Sequence, residues 1–205
     1  MAPIFLLLLL ALVLVSGKKS TGKKTNSQSE AATVPVPTLF EALQTAGKST
    51  PALEEAIAAH RSEIDTPGEG GQTPLMRSVL GGHTEAVGSL LRAGADTSIG
   101  EENHYTPLHG AGFQGRAPAL KLLLAHGLNP LDMHQDGFLP LHRACWGMEK
   151  KHTDTVRVFL KAGVDPKSPA LNGKNCAQMS KNQGTLDLLR SYSDDDDVDT
   201  AAELR

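Results

Sequence analysis

The sequence predicts an all-α solenoid of stacked helix-turn-helix units joined by short β-hairpin loops. Three observations carry that prediction. Thr73, Thr106 and Leu139 stand 33 residues apart, and each opens an x-Pro-Leu stretch: "TPLM", "TPLH" and "LPLH". Ten residues on, or thirteen in the third unit, "HTEAVGSLLRAGAD", "RAPALKLLLAHGLN" and "HTDTVRVFLKAGVD" superimpose on one another. Between units, Asp136-Gly137 and Asn172-Gly173 are tight-turn dipeptides. A fixed period of this length marks an architecture whose units bury apolar surface only against their neighbours.

Taken in chain order, residues 2–15, "APIFLLLLLALVLV", form an apolar run broken only by one proline. As a helix, 14 residues reach about 21 Å, short of the ~30 Å hydrocarbon core. The length suits the apolar region of a signal peptide, so 1–17 reads as a signal peptide or signal anchor. Two destinations stay open. A cleaved signal sends the chain into the secretory pathway: secreted, lumenal or onward to another organelle. Yet Lys18, Lys19, Lys23 and Lys24 follow the run instead of preceding it. That flank favours an uncleaved membrane anchor with the domain facing the cytosol. The basic, Ser/Thr-rich stretch 18–29 also has the composition of an organelle transit segment. Residues 18–38 are expected to be a linker without fixed structure, ending in the extended "VPVPT".

Each unit then reads as two short helices. Thr73 and Thr106 are placed to cap the first, with Pro74 and Pro107 at its first position, where a missing N–H costs nothing. In the second, Val87, Leu90 and Leu91 share a face, as do Leu120, Leu123 and Leu124, and Val156, Phe159 and Leu160. Gly94, Gly127 and Gly163 follow, where a helix end needs a left-handed residue. The third unit carries three extra residues around Met148–Lys150, and Leu139 lacks the capping hydroxyl.

With "TPLHGAGFQG" followed by "LKLLLAHG", and three such units in phase, residues 39–190 resemble an ankyrin repeat protein. The resemblance divides the chain into an N-terminal capping repeat (39–65), repeats at 66–98, 99–131 and 132–167, and a degenerate C-terminal cap (168–192). In that cap Asn175 and Cys176 replace Thr-Pro. An acidic tail (193–205), expected to be disordered, holds six acids from Asp194 to Glu203. His109 and His142 are the motif histidines, which in this family tie one turn to the next unit. Met76 replaces the first of them, and His104 stands where Gly71, Gly137 and Gly173 stand in other units.

Function is narrowed by what is missing. Residues 39–192 hold 16 acids and 15 bases, so there is no polycationic surface and no nucleic-acid partner is expected. No serine elbow, phosphate loop or HExxH motif occurs, so no catalytic residues and no cofactor are expected. Cys145 and Cys176 show no CxxC and no paired spacing, and read as a buried, reduced pair. His104 and His134, near Glu102 and Asp136, lack a ligand spacing and read as solvated hairpin residues, so no metal is assigned.

The resemblance implies two rows of exposed positions on a concave face. One row precedes each opening: Gln72, Tyr105, Phe138 and Lys174. The other lies seven residues after it: Leu80, Phe113, Trp146 and Asn182. Tyr105, Phe113, Phe138 and Trp146 are expected to form one contiguous apolar patch with Leu80 and Gln72 beside it, and Arg77 and Arg143 on its rim. The chain therefore reads as a monomeric, non-catalytic module that binds a protein partner in this groove. The alternatives are a membrane-tethered spacer and, behind it, a metal-dependent activity at the hairpin histidines.

Overall fold

The structure is a computed structural model that describes residues 38–46, 51–68, 70–101 and 105–202, all within the unit Pro35–Arg205. The expected signal segment, most of the linker and His104 lie outside the described residues. Helices come in pairs, as the period requires: α1 (Leu39–Ala46) with α2 (Pro51–Ala59), α3 (Pro74–Gly81) with α4 (Thr84–Arg92), and α5 (Pro107–Gln114) with α6 (Ala117–Ala125). The series ends with α7 (Pro140–Cys145) and α8 (Lys150–Lys161), then α9 (Cys176–Met179) and α10 (Gln183–Ala202). A 3-10 turn, Arg61–Glu63, follows α2.

The openings work as capping signals. Thr73 Oγ1 accepts the Met76 N–H at 3.2 Å. Thr106 N–H reaches Nδ1 of His109 at 3.3 Å, and Leu139 N–H reaches Nδ1 of His142 at 3.1 Å. The motif histidine thus reaches the backbone before α7, although Leu139 has no hydroxyl. Asn175 caps α9 by accepting the Gln178 N–H at 3.1 Å while Gln178 returns the favour to the Asn175 N–H. The supposedly degenerate cap therefore keeps a working capping box.

The hairpins repeat a single hydrogen bond. The N–H groups of Gly68, Glu101, His134 and Ala170 donate to the carbonyls of Gln72, Tyr105, Phe138 and Lys174, at 2.9, 3.0, 3.1 and 2.9 Å. Gly71, Gly137 and Gly173 turn these loops at positive φ of 76°, 78° and 75°. Beyond one bridge between Glu101 and Tyr105, no β pairing occurs among the described residues.

One continuous apolar core runs through the stack, from Leu39 and Leu43 through Leu75, Leu90, Leu108, Leu120 and Leu141 to Phe159 and Leu189. The inner helices meet tightly. A Cβ on Gly112 would lie 2.4 Å from the Pro140 carbonyl oxygen. The sixth residue after one opening therefore sits against the first residue after the next.

That register overturns the expectation of reduced thiols. Cys145 and Cys176 occupy the same two places one junction later, and they are joined in a disulfide with Cα atoms 5.5 Å apart. Their separation of 31 residues hid a pairing that stacking makes local. In the chain-entropy picture a bond closing a loop of this length stabilises by about 3–4 kcal/mol.

The three inserted residues lengthen α8 to 12 residues, against 9 in α4 and α6. Met148 then stands where Gly82 and Gly115 make left-handed C-caps at φ 79° and 68°. The inserted turn avoids that strain by ending α7 early, at Cys145. At the far end the backbone of α10 stays helical to Ala202, past the expected start of an acidic tail without fixed structure. An established helix extends at little cost, since each added residue gains a hydrogen bond.

Candidate functional site

Arg143 organises the site. It lies on α7, one helical turn before Trp146, and only 9% of it is exposed. Its guanidinium carbon sits 5.5 Å from the ring centre of Tyr105, 5.4 Å from Phe138 and 4.9 Å from Trp146. The guanidinium also donates to Oδ2 of Asp136. On the other carboxylate oxygen, His134 Nδ1 approaches to 2.8 Å. Three rings therefore pack against a cation whose charge is already met by a hairpin carboxylate.

The rings also contact each other. Phe138 meets Trp146 edge-on at 4.9 Å between centres, and Tyr105 meets His134 at 5.5 Å. The Tyr105 hydroxyl donates to the His109 carbonyl at 3.3 Å. Burial pushes the Tyr105 phenol up to about 12. Burial likewise pulls Asp136 up, but bonds from His134 and Arg143 prevail and hold it below the usual carboxylate range.

His109 joins two repeats. Its Nδ1 takes the Thr106 N–H, so Nε2 carries the proton and donates to the Phe138 carbonyl at 3.2 Å. His142 repeats the arrangement, with Nε2 reaching the Ser168 carbonyl at 3.0 Å. Burial, with the nearby positive Arg143, lowers His109 to about 4, and burial lowers His142 as well.

A second set of bonds reaches back from the turn between helices or from the first turn of the second helix. Arg116 donates to the Leu80 carbonyl at 3.2 and 2.8 Å. In the next repeats His152 Nε2 meets the Phe113 carbonyl at 3.2 Å, and Asn182 donates to the carbonyls of Gly147 and Glu149 at 3.1 and 3.2 Å. The carbonyls of Leu80, Phe113 and Gly147 lie at or just past inner-helix ends, where intrahelical donors run out, while that of Glu149 lies at the start of α8.

The structure therefore redraws the expected patch. Tyr105, Phe138 and Trp146 come together, half-buried, because Arg143 gives them a common surface. Arg143 lies at the centre and not on the rim. Phe113 stands apart: it is 50% exposed and touches no other ring among the described residues. Leu80 is half-buried, and Asn182 is buried in its bonds to the preceding unit, which removes it from the exposed row. Gln72 donates to Glu101 at 2.7 Å, and both line a cleft of about 490 Å³ with Gly70, Gly71, Tyr105 and His134. Arg77 is half-buried and forms no ion pair among the described residues.

Asp136 and His134 were missed as parts of the site. The sequence showed Asp136 as half of a turn signal and as a carboxylate near His134, in the metal-dependent alternative, and His134 otherwise as a solvated hairpin residue. Its side chain is 13% exposed, because Tyr105 and Asp136 enclose it. Among the described residues no three His, Cys, Asp or Glu side chains gather as a metal site, and no helix is long and apolar enough to cross a membrane.

Paired helices, a hairpin bond in every unit and histidines linking successive turns define an α-solenoid repeat protein that presents side chains along one face. The family model for ankyrin repeats in three copies matches residues 39–133 and 81–170. The chain belongs to the ankyrin-repeat family, whose members are in general non-catalytic protein-interaction modules. Among similar proteins, chicken (Gallus gallus) inversin is 37% identical over 95 residues, covering 46% of this chain and 8% of inversin. Mouse (Mus musculus) protein phosphatase 1 regulatory subunit 27 is 33% identical over 109 residues, 53% of this chain and 68% of that protein. The Drosophila melanogaster E3 ubiquitin-protein ligase Ufd4 is 26% identical over 178 residues, 80% of this chain but 6% of the ligase. The matched part of this chain spans a tenth or less of the inversins it resembles.

Proposed function

We propose that the chain binds a protein segment along the face carrying Phe113, Tyr105, Phe138 and Trp146. The carrying observation is the exposure of Phe113 on the repeat place that Trp146 holds one unit later, where Arg143 fixes Tyr105, Phe138 and Trp146 together. Aromatic side chains give large contact area for little lost freedom, more so when they are fixed before the partner arrives. Leu80 extends the apolar surface, and Arg77 supplies a cation with no ion pair of its own among the described residues. A regulatory subunit among the similar proteins fits a binding role without catalysis.

The test is selection of peptides from a displayed library against the folded domain. Peptides selected on the wild type should lose at least tenfold in affinity for the Phe113→Ala/Trp146→Ala variant. Unchanged affinity, with the circular dichroism of the wild type retained, would place the binding surface elsewhere.

A further inference from the structure

We infer that the domain folds in an oxidising compartment, entered through the apolar segment 2–15, and that the Cys145–Cys176 bond is a permanent staple there. The inference is independent of what the groove binds. It starts from register. At the preceding junction the equivalent pair is Gly112 and Pro140, so close that a Cβ on Gly112 would meet the Pro140 carbonyl. The stack itself, and not a chance loop, brings Cys145 and Cys176 together with Cα atoms 5.5 Å apart.

Burial separates a staple from a switch. Both cysteines are 0% exposed and belong to the continuous core. A reductant needs in-line access to a sulfur, which here requires the core packed around α7 and α9 to open. The bond therefore forms during folding, as α9 comes against α7 and before the packing around the two sulfurs is complete. The step is a two-electron oxidation. Two thiols lose two protons and two electrons as the Sγ–Sγ bond forms, and the disulfide of a thiol oxidoreductase takes them up to become a dithiol. Such oxidants prevail in secretory and periplasmic compartments, while the cytosol keeps thiols reduced.

The second pointer is in the sequence. The run 2–15, of signal-peptide length, leads towards such a compartment. It leaves two orientations open, and a core disulfide selects the lumenal one. Against the lysines that follow the run, the bond carries more weight, because charge flanks bias topology while a buried disulfide needs an oxidant where the chain folds.

Thiol trapping on the full chain tests this. The chain is expressed in eukaryotic cells with its own N-terminus, quenched in acid and alkylated with N-ethylmaleimide before any reduction. Mass spectrometry should find Cys145 and Cys176 in one cross-linked peptide pair, alkylated at neither. A full-length Leu7→Asp/Leu10→Asp variant, kept out of the membrane by charges in the run, should carry both thiols alkylated. Purified oxidised protein should melt about 10 °C above the Cys145→Ala/Cys176→Ala variant. Alkylated cysteines in folded wild type would overturn the inference. A bond formed equally in the excluded variant would overturn the compartment, and equal melting temperatures would overturn the staple.

Discussion

Phe113 and Trp146 hold the same place in successive repeats, yet one stands half in solvent and the other is folded against Phe138. The difference lies one helical turn earlier. There, α5 carries Gly110 and α7 carries Arg143. Glycine offers nothing for a ring to rest on, while the guanidinium of Arg143 faces Tyr105, Phe138 and Trp146 together. A repeat position thus does not determine exposure. The neighbouring side chain decides whether an aromatic becomes a free contact or part of a fixed platform.

Acid should break this arrangement most strongly, through His109, which links the two repeats. Its folded value near 4 lies below the ordinary 6.5. As pH falls from about 6.5 towards 4, the unfolded chain takes up a proton that the folded site refuses. Stability is therefore full above 6.5 and falls by about 2–3 kcal/mol by pH 4 from His109 alone. Urea unfolding across that range measures it, and a flat profile would contradict it. Arg143 contributes to the lowered value, so Arg143→Ala should make the acid loss shallower.

At neutral pH, Arg143→Ala should itself cost about 2 kcal/mol. Removing one partner of a buried pair costs more, but Asp136 is 39% exposed and regains water. Trp146 is the chain's one tryptophan, so its emission should shift to the red as the platform loosens. An unmoved spectrum would mean the rings hold together without the cation.

The smallest effect sharpens the contrast. Phe113→Ala should change stability by less than about 0.5 kcal/mol, as exposed positions do. Trp146→Ala, half-buried, should cost about 1–2 kcal/mol. Equal losses in thermal unfolding would erase the distinction between free ring and platform.

Much of the scaffold was legible because its signals are local. Thr-Pro caps and hairpin glycines each act within a few residues and recur every 33, so a linear reading finds them. The linking role of His109 and His142 followed from the family resemblance. What stayed hidden depends on stacking. Arg143 looked like a rim residue because Asp136 read as a turn residue or a neighbour of His134 and not as the carboxylate partner of Arg143. Cys145 and Cys176 looked unpaired because their closeness exists only in the repeat register that also brings Gly112 to Pro140. Phe113 and Trp146 looked alike because the row they share says nothing about the residue beneath each ring.

The reach-back bonds of Arg116, His152 and Asn182 all run in one direction, from a later repeat to an earlier one. Translation proceeds the same way. A nascent chain that has emerged as far as α5 still has its Phe113 carbonyl waiting for His152, and one that ends in α8 has Gly147 and Glu149 waiting for Asn182. Each unit on the ribosome is thus completed by the unit that follows it, and the order of synthesis becomes the order in which helix ends are sealed.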